Sequence, residues 1–532
     1  MISRYFHTIR FLKVSQTFGR VFFNVCKLFL KEEKKNNFKI REFNKKIFFF
    51  PKKISYLGNN NFIFLNKKKY IESYRVSDYP REELLWKYNL HYFDYLNQKI
   101  LDKNENYESL INKWIQENKF KENLSWDSYP LSLRIVNWVK WLISNQINNN
   151  QINEVLFEQG KYLSKRIEYH LGGNHLISNA KAMIFFGLYF KCITGRKILK
   201  KGKNLLEKEL DKQIQADGAH YEKSSMYQSI IIEDLLDIYS ISLAFPNLIN
   251  SEILKKIIPK MITFQLNMTH SDGGFSYFND CSSSSSLKID QLMNYSKKLG
   301  FKDFNYTEGI KFHKNSNFVS CKNSSSNFIF SFGSIGPNEL MAHSHANSLS
   351  FELSLDNQKV FINSGVSSYQ NQKRRDIERA TSSHNTLELN EKNSSDVWAS
   401  FRCGKRANSK LIKNSSTKDE LCVYAKHDGY STIFKKRIHF RKITYNKSSL
   451  IIEDSIEGSF NKAIVRVHLH PEVDVINDCL FLKSGQKIKI KKRNCNLKIK
   501  ENIWAKGFGD LRENKSLEFE LNSNFSCIKF SW

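Results

Sequence analysis

No stretch of this 532-residue chain approaches the roughly 18–20 consecutive apolar residues that a membrane-spanning helix needs, so an integral membrane protein is not expected. Paired cysteines are missing too. The nine present (Cys26, Cys192, Cys281, Cys321, Cys403, Cys422, Cys479, Cys495 and Cys527) are odd in number, scattered, and nowhere spaced CxxC. That pattern fits neither a disulfide scaffold nor a cysteine-ligated zinc site, and reduced, mostly buried thiols are expected. There is no zinc finger, RNA-recognition signature, P-loop or internal repeat, so nucleic acid is not expected as a partner. At the N-terminus, Arg4, Arg10, Lys13, Arg20 and Lys27 interrupt every apolar stretch and no small-residue cleavage site follows. A standard secretory signal is therefore not expected. The chain is expected in the cytoplasm or peripheral to the inner membrane, with the periplasm as the alternative.

Acidic residues are the minority charge: 53 Asp+Glu stand against 83 Lys+Arg, a net of +30. Such a surplus suits a polyanion, whether nucleic acid, anionic lipid or acidic polysaccharide. A coding bias toward Lys, Asn, Ile and Phe explains the same excess equally well. Aromatics are plentiful at 14% and argue against disorder. At roughly 100–200 residues per domain the length predicts several domains.

Residues 1–53 carry 14 Lys/Arg against Glu32, Glu33 and Glu42. Ile2, Phe6, Ile9 and Lys13 are spaced like one helix face, so residues 1–55 read as a basic arm. It is either an amphipathic helix lying on an anionic membrane or polymer, or a segment packed on the next domain. From about 80 to 300 the periodicity is helical, as in LSLRIVNWVKWLISNQI (131–147), HLISNAKAMIFFGLYFKCITG (175–195) and SMYQSIIIEDLLDIYSISLAF (225–245), with Gly195 and Pro246 as stops. Cys281 and the five serines after it read as a flexible loop. After about 315 apolar and polar residues alternate, with DN and DG turns, which predicts an antiparallel β-sandwich over 315–532. The fold class is thus α+β and multidomain, helices first and strands second.

Four stretches concentrate side chains able to do chemistry. GGNHLISNAKA (172–182) delivers Asn174 and His175 to the start of an apolar helix, where Asn174 either faces a cleft or caps the helix. DGAHYEKSSMYQS (217–229) gathers His220, Tyr221, Glu222 and Tyr227; a tyrosine beside basic groups can have its phenol pKa lowered enough to move a proton. AHSHANSLSFEL (342–353) sets His343 and His345 two apart at an expected strand start, on one face, suited to metal ligation or acid–base work. RRDIERATSSHNTLEL (374–389) adds His384, so three histidines can meet. HLHP (468–471) reads as packing.

Taken in order, NHLISNAKA, DGAHYEKSSMYQ, DGGFSYFND (272–280), HSHANSLSFEL, VFINSG (360–365) and RATSSHNTLEL resemble the heparinase II/III family of polysaccharide lyases. LWKYNLHYFDYL (85–96) and WDSYPLSLRIVNW (126–138) are similar to the N-terminal part of bacterial members from surface-polysaccharide gene clusters. The resemblance runs from about residue 55 to 532. It implies an (α/α) toroid, here residues 56–310, followed by the β-sandwich. It also implies β-elimination on an acidic, uronate-containing polysaccharide such as a glycosaminoglycan or alginate. In that chemistry Asn174 neutralises the uronate carboxylate, with His175 beside it. Tyr227, with Tyr221 as fallback, and His343 form the acid–base set. His220 and Tyr221 contact substrate, and Arg134 pairs with a substrate carboxylate.

No cofactor is required, but some members hold a structural zinc at positions matching His345, Asn363 and His384. The family's aspartate reads asparagine here, and a neutral carboxamide is a poor zinc ligand beside a carboxylate, so binding is expected to weaken. The alternative to a lyase is a repurposed member that binds a capsule or O-antigen polysaccharide without cleaving it.

Overall fold

The computed structural model describes residues 2–29, 38–43, 46–99, 105–120, 124–302, 304 and 308–532. Of the basic arm, Met1, residues 30–37 and residues 44 and 45 lie outside the described residues, as do the side chains of Ile2 and Lys27.

The arm forms α1 (Ile2–Ile9) and α2 (Val14–Phe29), and the helical half follows as α3 (Leu84–Leu90), α4 (Tyr107–Glu117), α5 (Ser128–Ser144), α6 (Asn150–Lys165), α7 (Asn174–Tyr189), α8 (Ile193–Gln213), α9 (Ser225–Ser242), α10 (Glu252–Asn267) and α11 (Ile289–Lys298). Apart from Asn174, His175, Asn179 and Lys181, helix α7 is apolar or small, and it is buried all round except at His175; it packs against α5, α8 and α9. A helix with so little polar surface has to lie inside. The charges on these inner helices are paired: Lys181 with Asp234 (2.8 Å), and Lys140 with Asp237 (2.5 Å), which also accepts from the Tyr295 hydroxyl. Unpaired, any of these would cost several kcal/mol (about 3–5). Lys52 joins the cluster through Glu233, and Arg41 N–H donates to Tyr189 O. The described residues from 38 to 53 are thereby part of the helical half rather than of a separate arm.

The second half is built from antiparallel strands and begins at Gly309–His313, a few residues earlier than the alternation indicates. A five-stranded sheet runs in sequence order over 309–361. A four-stranded sheet joins Cys495–Gly507, Asp510–Leu521, Ala463–His468 and Leu387–Leu389. An eight-stranded sheet receives the C-terminal strand Phe525–Ser531 between Ser449–Glu457 and Lys487–Arg493. Period-two patterning sets its register: Val423, Ile443, Ile452 and Ile528 pair across four neighbouring strands and are all fully buried. Each such side chain stabilises by about 1.5–3 kcal/mol, and a one-residue slip would turn the row to solvent. Phe328 stacks on Tyr445, the Phe361 ring is tilted against Phe530, and Phe519 meets Phe530 edge to face, so both smaller sheets face the large one. One helix, α12 (Gln372–Arg379), lies within this half.

The two halves meet along a seam of Met226, Tyr227, Phe275, Tyr277, Ile362, Val366, Trp504 and Phe508. Two readings of the sequence are corrected here. The serine-rich loop is not free: Val366 N–H donates to Cys281 O, Ser283 N–H to Lys506 O, and Phe508 N–H to Ser282 Oγ. Gly195 is not a helix stop; α7 ends at Tyr189, and Gly195 sits in the first turn of α8 with its N–H on Cys192 Sγ. Among the described residues, Cys192, Cys281, Cys321, Cys403, Cys422, Cys479, Cys495 and Cys527 are free thiols.

Candidate active site

Gly172 and Gly173 both adopt positive φ, at +73° and +58°. Gly173 has no room for a side chain, since a Cβ there would lie 2.6 Å from Leu340 Cδ2 and 2.7 Å from Glu222 Oε1. This turn starts α7 at Asn174, with Gly173 in the cap position, so Asn174 is not the cap. Its N–H reaches Glu222 Oε1 at 3.4 Å, and its side chain engages the Tyr129 phenol together with Ser178.

Tyr227 is delivered from the other side by the first turn of α9, where Ser224 Oγ accepts its N–H at 3.2 Å. From the sheet half, the loop after strand Asn327–Ser331 brings His343 across the seam. Tyr227 Oη lies 3.0 Å from His343 Nε2 and 3.0 Å from Tyr369 Oη. His343 Nδ1 is hydrogen-bonded to Glu222 Oε2. A carboxylate can only accept, so Nδ1 carries the hydrogen and Nε2 accepts from the Tyr227 hydroxyl. Tyr369 then donates to the Tyr227 oxygen.

The electrostatics correct the expectation of an acidified phenol. Burial pushes the Tyr227 phenol well up from its ordinary value, and Tyr369, Asp280 and Glu222 push the same way, so the resting site keeps this proton. Burial also works to raise Glu222, but His343, His220 and the Asn174 N–H together hold its carboxyl below the ordinary range. Burial lowers His220 to about 4; it is neutral, 2.9 Å from Gln213 Oε1 and 4.0 Å from Glu222, and it steadies the carboxylate rather than facing a cleft. His175 is half-buried on Tyr129 with Nδ1 3.2 Å from Glu168. Tyr221 is buried, its N–H on Gln213 O and Lys212 over its ring, outside the Tyr227 cluster.

Arg134 stands apart. It is fully buried on the inner side of α5, 4.1 Å over the Trp114 ring, donating to Gln159 Oε1 and His91 O. With its donors turned into the helical core it is not placed to clamp a substrate carboxylate.

His343 and His345 do not share a face, because 342–350 is a loop and the strand begins at Phe351. His345 turns the other way, with Nε2 2.8 Å from Asp280 Oδ1 and Nδ1 3.1 Å from His384 Nε2; two of the three histidines meet, and His343 does not join them. Asn363 is held in a separate network: Oδ1 accepts from Ser350 Oγ and Asn385 N–H, and Nδ2 donates to Glu352. Nε2 of His345 and the Asn363 carboxamide are thus committed elsewhere, while Nδ1 of His345 faces His384, and the three residues as a set do not fit a zinc ion. Among the described residues no group of three His, Cys, Asp or Glu is placed to hold a metal. The His345 region is braced instead by Arg375, paired through both terminal nitrogens with Asp280, whose own N–H donates to His343 O.

The composition of the cluster went beyond what motifs gave. Glu222 was visible in the 217–229 stretch without a role, Asp280 closes the 272–280 motif, Tyr129 and Arg375 lie within the 126–138 and 374–389 stretches without a role, and Tyr369 carries no local signal.

Residues 77–306 match the heparinase II/III N-terminus family and residues 306–532 the heparinase II/III-like, C-terminal family. A heparin-sulfate lyase of Bacteroides stercoris is 25% identical over 359 residues, 60% of this chain and 52% of that protein. The chain thus spans about half the length of this curated relative. Among solved structures, heparinase III superposes with a TM-score of 0.67 at 20% identity, covering 79% of this chain and 72% of that one. The heparan sulfate lyase HepC of Pedobacter heparinus gives 0.58 at 15%, covering 85% and 77%. Those structures share the fold, helices first and antiparallel sheets second. With both halves matched end to end from residue 77, the chain that sets Asn174, Tyr227 and His343 around one seam belongs to the heparinase II/III family.

Proposed function

We propose that this protein is a polysaccharide lyase that cleaves an acidic, uronate-containing polysaccharide by β-elimination. The observation that carries the reading is the hydrogen bond between Tyr227 and His343, which joins an acid from the helical half to a base from the sheet half with Glu222 behind it. The proton beside a uronate carboxylate is only weakly acidic, so the carboxylate must be neutralised and the developing enolate stabilised. Asn174, at a positively polarised helix N-terminus, takes that role. When the Tyr227 hydroxyl turns from Nε2 of His343 to the glycosidic oxygen, the freed Nε2 lone pair receives the C5 proton, and the C5–H electron pair becomes the C4–C5 double bond. The C4–O bond breaks, and the leaving oxygen takes the hydroxyl proton of Tyr227. Once product departs, the proton on Nε2 returns to Tyr227 along the 3.0 Å hydrogen bond. The Glu222 carboxylate holds the His343 tautomer and offsets the transient imidazolium charge.

Heparin-sulfate and heparan sulfate lyases among the relatives and the net charge of +30 support an anionic polymer as substrate. The test is ultraviolet absorbance of the purified protein with heparan sulfate, heparin, hyaluronan, chondroitin, alginate and the host's surface polysaccharide. An unsaturated uronate absorbs where these polymers do not. Tyr227→Phe and Asn174→Ala are expected to abolish that signal while sparing binding. A flat trace on every polymer with binding intact would replace this reading with a binder that does not cleave.

A further inference from the structure

Helix α2 packs on the protein through a narrow face of Gln16, Gly19 and Phe23 and leaves its broader apolar side outward. Gln16 donates to Glu339 O, Gly19 approaches the His170 backbone, and Phe23 lies on the His170 ring and beneath the Arg166 guanidinium. At 3.6 residues per turn these three share one face. On the opposite side Val14, Phe18, Val21, Phe22 and Val25 form a continuous apolar stripe, each between 44% and 72% exposed. Helix α1 repeats the arrangement: Arg4 is paired with Asp396 and Tyr5 lies on Trp398, while Phe6 and Ile9 are exposed. Beside the stripe runs a groove of about 800 Å³, walled by Phe18, Phe22, Tyr169 and Leu176, with Lys208 and Lys212 among its lining residues. A folded protein does not leave such a stripe in water without a use for it.

We propose that the α1–α2 arm is a docking surface for an anionic lipid bilayer, lying in the interface with its apolar stripe inserted. Charge selects this occupant. Residues 2–29 contain Arg4, Arg10, Lys13, Arg20 and Lys27 and no acidic residue; Arg4 and Lys13 are paired with Asp396 and Glu339, but Lys208 and Lys212 outnumber Glu209 along the groove, and the positive surplus that remains is one that anionic headgroups complement. No helix among the described residues is long and apolar enough to cross a membrane, so the arm lies on the surface. Gly172 and Leu176, which line the groove, flank Asn174, and docking sets the candidate active site beside the bilayer.

Flotation of the full-length protein with phosphatidylcholine vesicles, with and without phosphatidylglycerol, tests this independently of any catalytic activity. The protein is expected to float with the anionic vesicles and not with the neutral ones, less so as salt rises. The double substitution Phe18→Asp/Phe22→Asp, at two exposed positions, is expected to weaken flotation at least roughly tenfold with an unchanged circular dichroism melt. Absence of flotation, or flotation indifferent to the substitution, would overturn the proposal. So would a lipid-free dimer that the substitution dissolves, since the face would then belong to a second copy.

Discussion

At the scale of single residues, what decides the site is which groups stand behind the reacting ones. Glu222 touches no reacting atom in the proposed mechanism, yet it fixes which nitrogen of His343 is free. Glu222→Gln is expected to lower kcat by roughly 10²–10⁴-fold with KM little changed, because an amide can donate to Nδ1 and so favour the wrong tautomer. Steady-state kinetics on whichever polymer is cleaved checks it, and a kcat within twofold of the parent would remove Glu222 from the mechanism. The stretches that carry Asn174, Tyr227 and His343 were legible because each is a short motif at a turn. Arg134 misled because an arginine on a helix looks the same in sequence whether it faces a cleft or a tryptophan. Tyr369 was invisible: its hydroxyl reaches Tyr227 only because the sheet half folds back over 142 residues of chain.

Elements were legible where one periodicity dominates. The three long apolar stretches became α5, α7 and α9 to within a few residues at their starts, and the alternation over 420–457 became three paired strands. The loop 342–350 alternates too, and was read as a strand start. Its backbone groups are nevertheless spent elsewhere, with His345 N–H on Asn279 Oδ1 and Ala346 N–H on Arg379 O, and Leu349 has a φ of +58°. A ladder cannot form from donors already in use. The Gly172–Gly173 turn gives an element-scale prediction because its two members differ. Gly172→Ala meets nothing within 4 Å and incurs only left-handed strain, about 1–2 kcal/mol. Gly173→Ala adds a clash with both Leu340 and Glu222 and is expected to cost about 3 kcal/mol or more. Thermal melts of the two variants side by side test this; equal losses would mean the turn is not held between the two halves.

Across the whole molecule, the striking imbalance of buried titratable groups is among histidines, and it fixes how the protein answers to acid. Burial lowers His220, His313, His345, His468 and His470 each to about 4, and their neighbours only partly offset or add to it. The unfolded chain protonates these rings near pH 6.5, the folded one only near 4. Between those values the unfolded state binds more protons, so stability falls as pH falls. Each ring contributes a slope of roughly 1.4 kcal/mol per pH unit inside that window. His175 moves the other way, raised by Glu168 against the effect of burial; below pH 6.5 it is protonated in both states, so its contribution changes only above that value and leaves this window unaltered. The buried carboxylates act later. Asp280 and Asp454 are held below the ordinary carboxylate range by their arginine partners despite burial, so their contribution is lost only as pH falls below the unfolded value of about 4. Acid destabilisation is therefore expected to begin near pH 6.5 rather than near 4. Melting temperatures followed downward from neutral pH check it, with His468→Gln expected to flatten the slope by about one ring's share. A melting temperature that holds level until carboxylates titrate would show that the histidines are not buried as neutral groups.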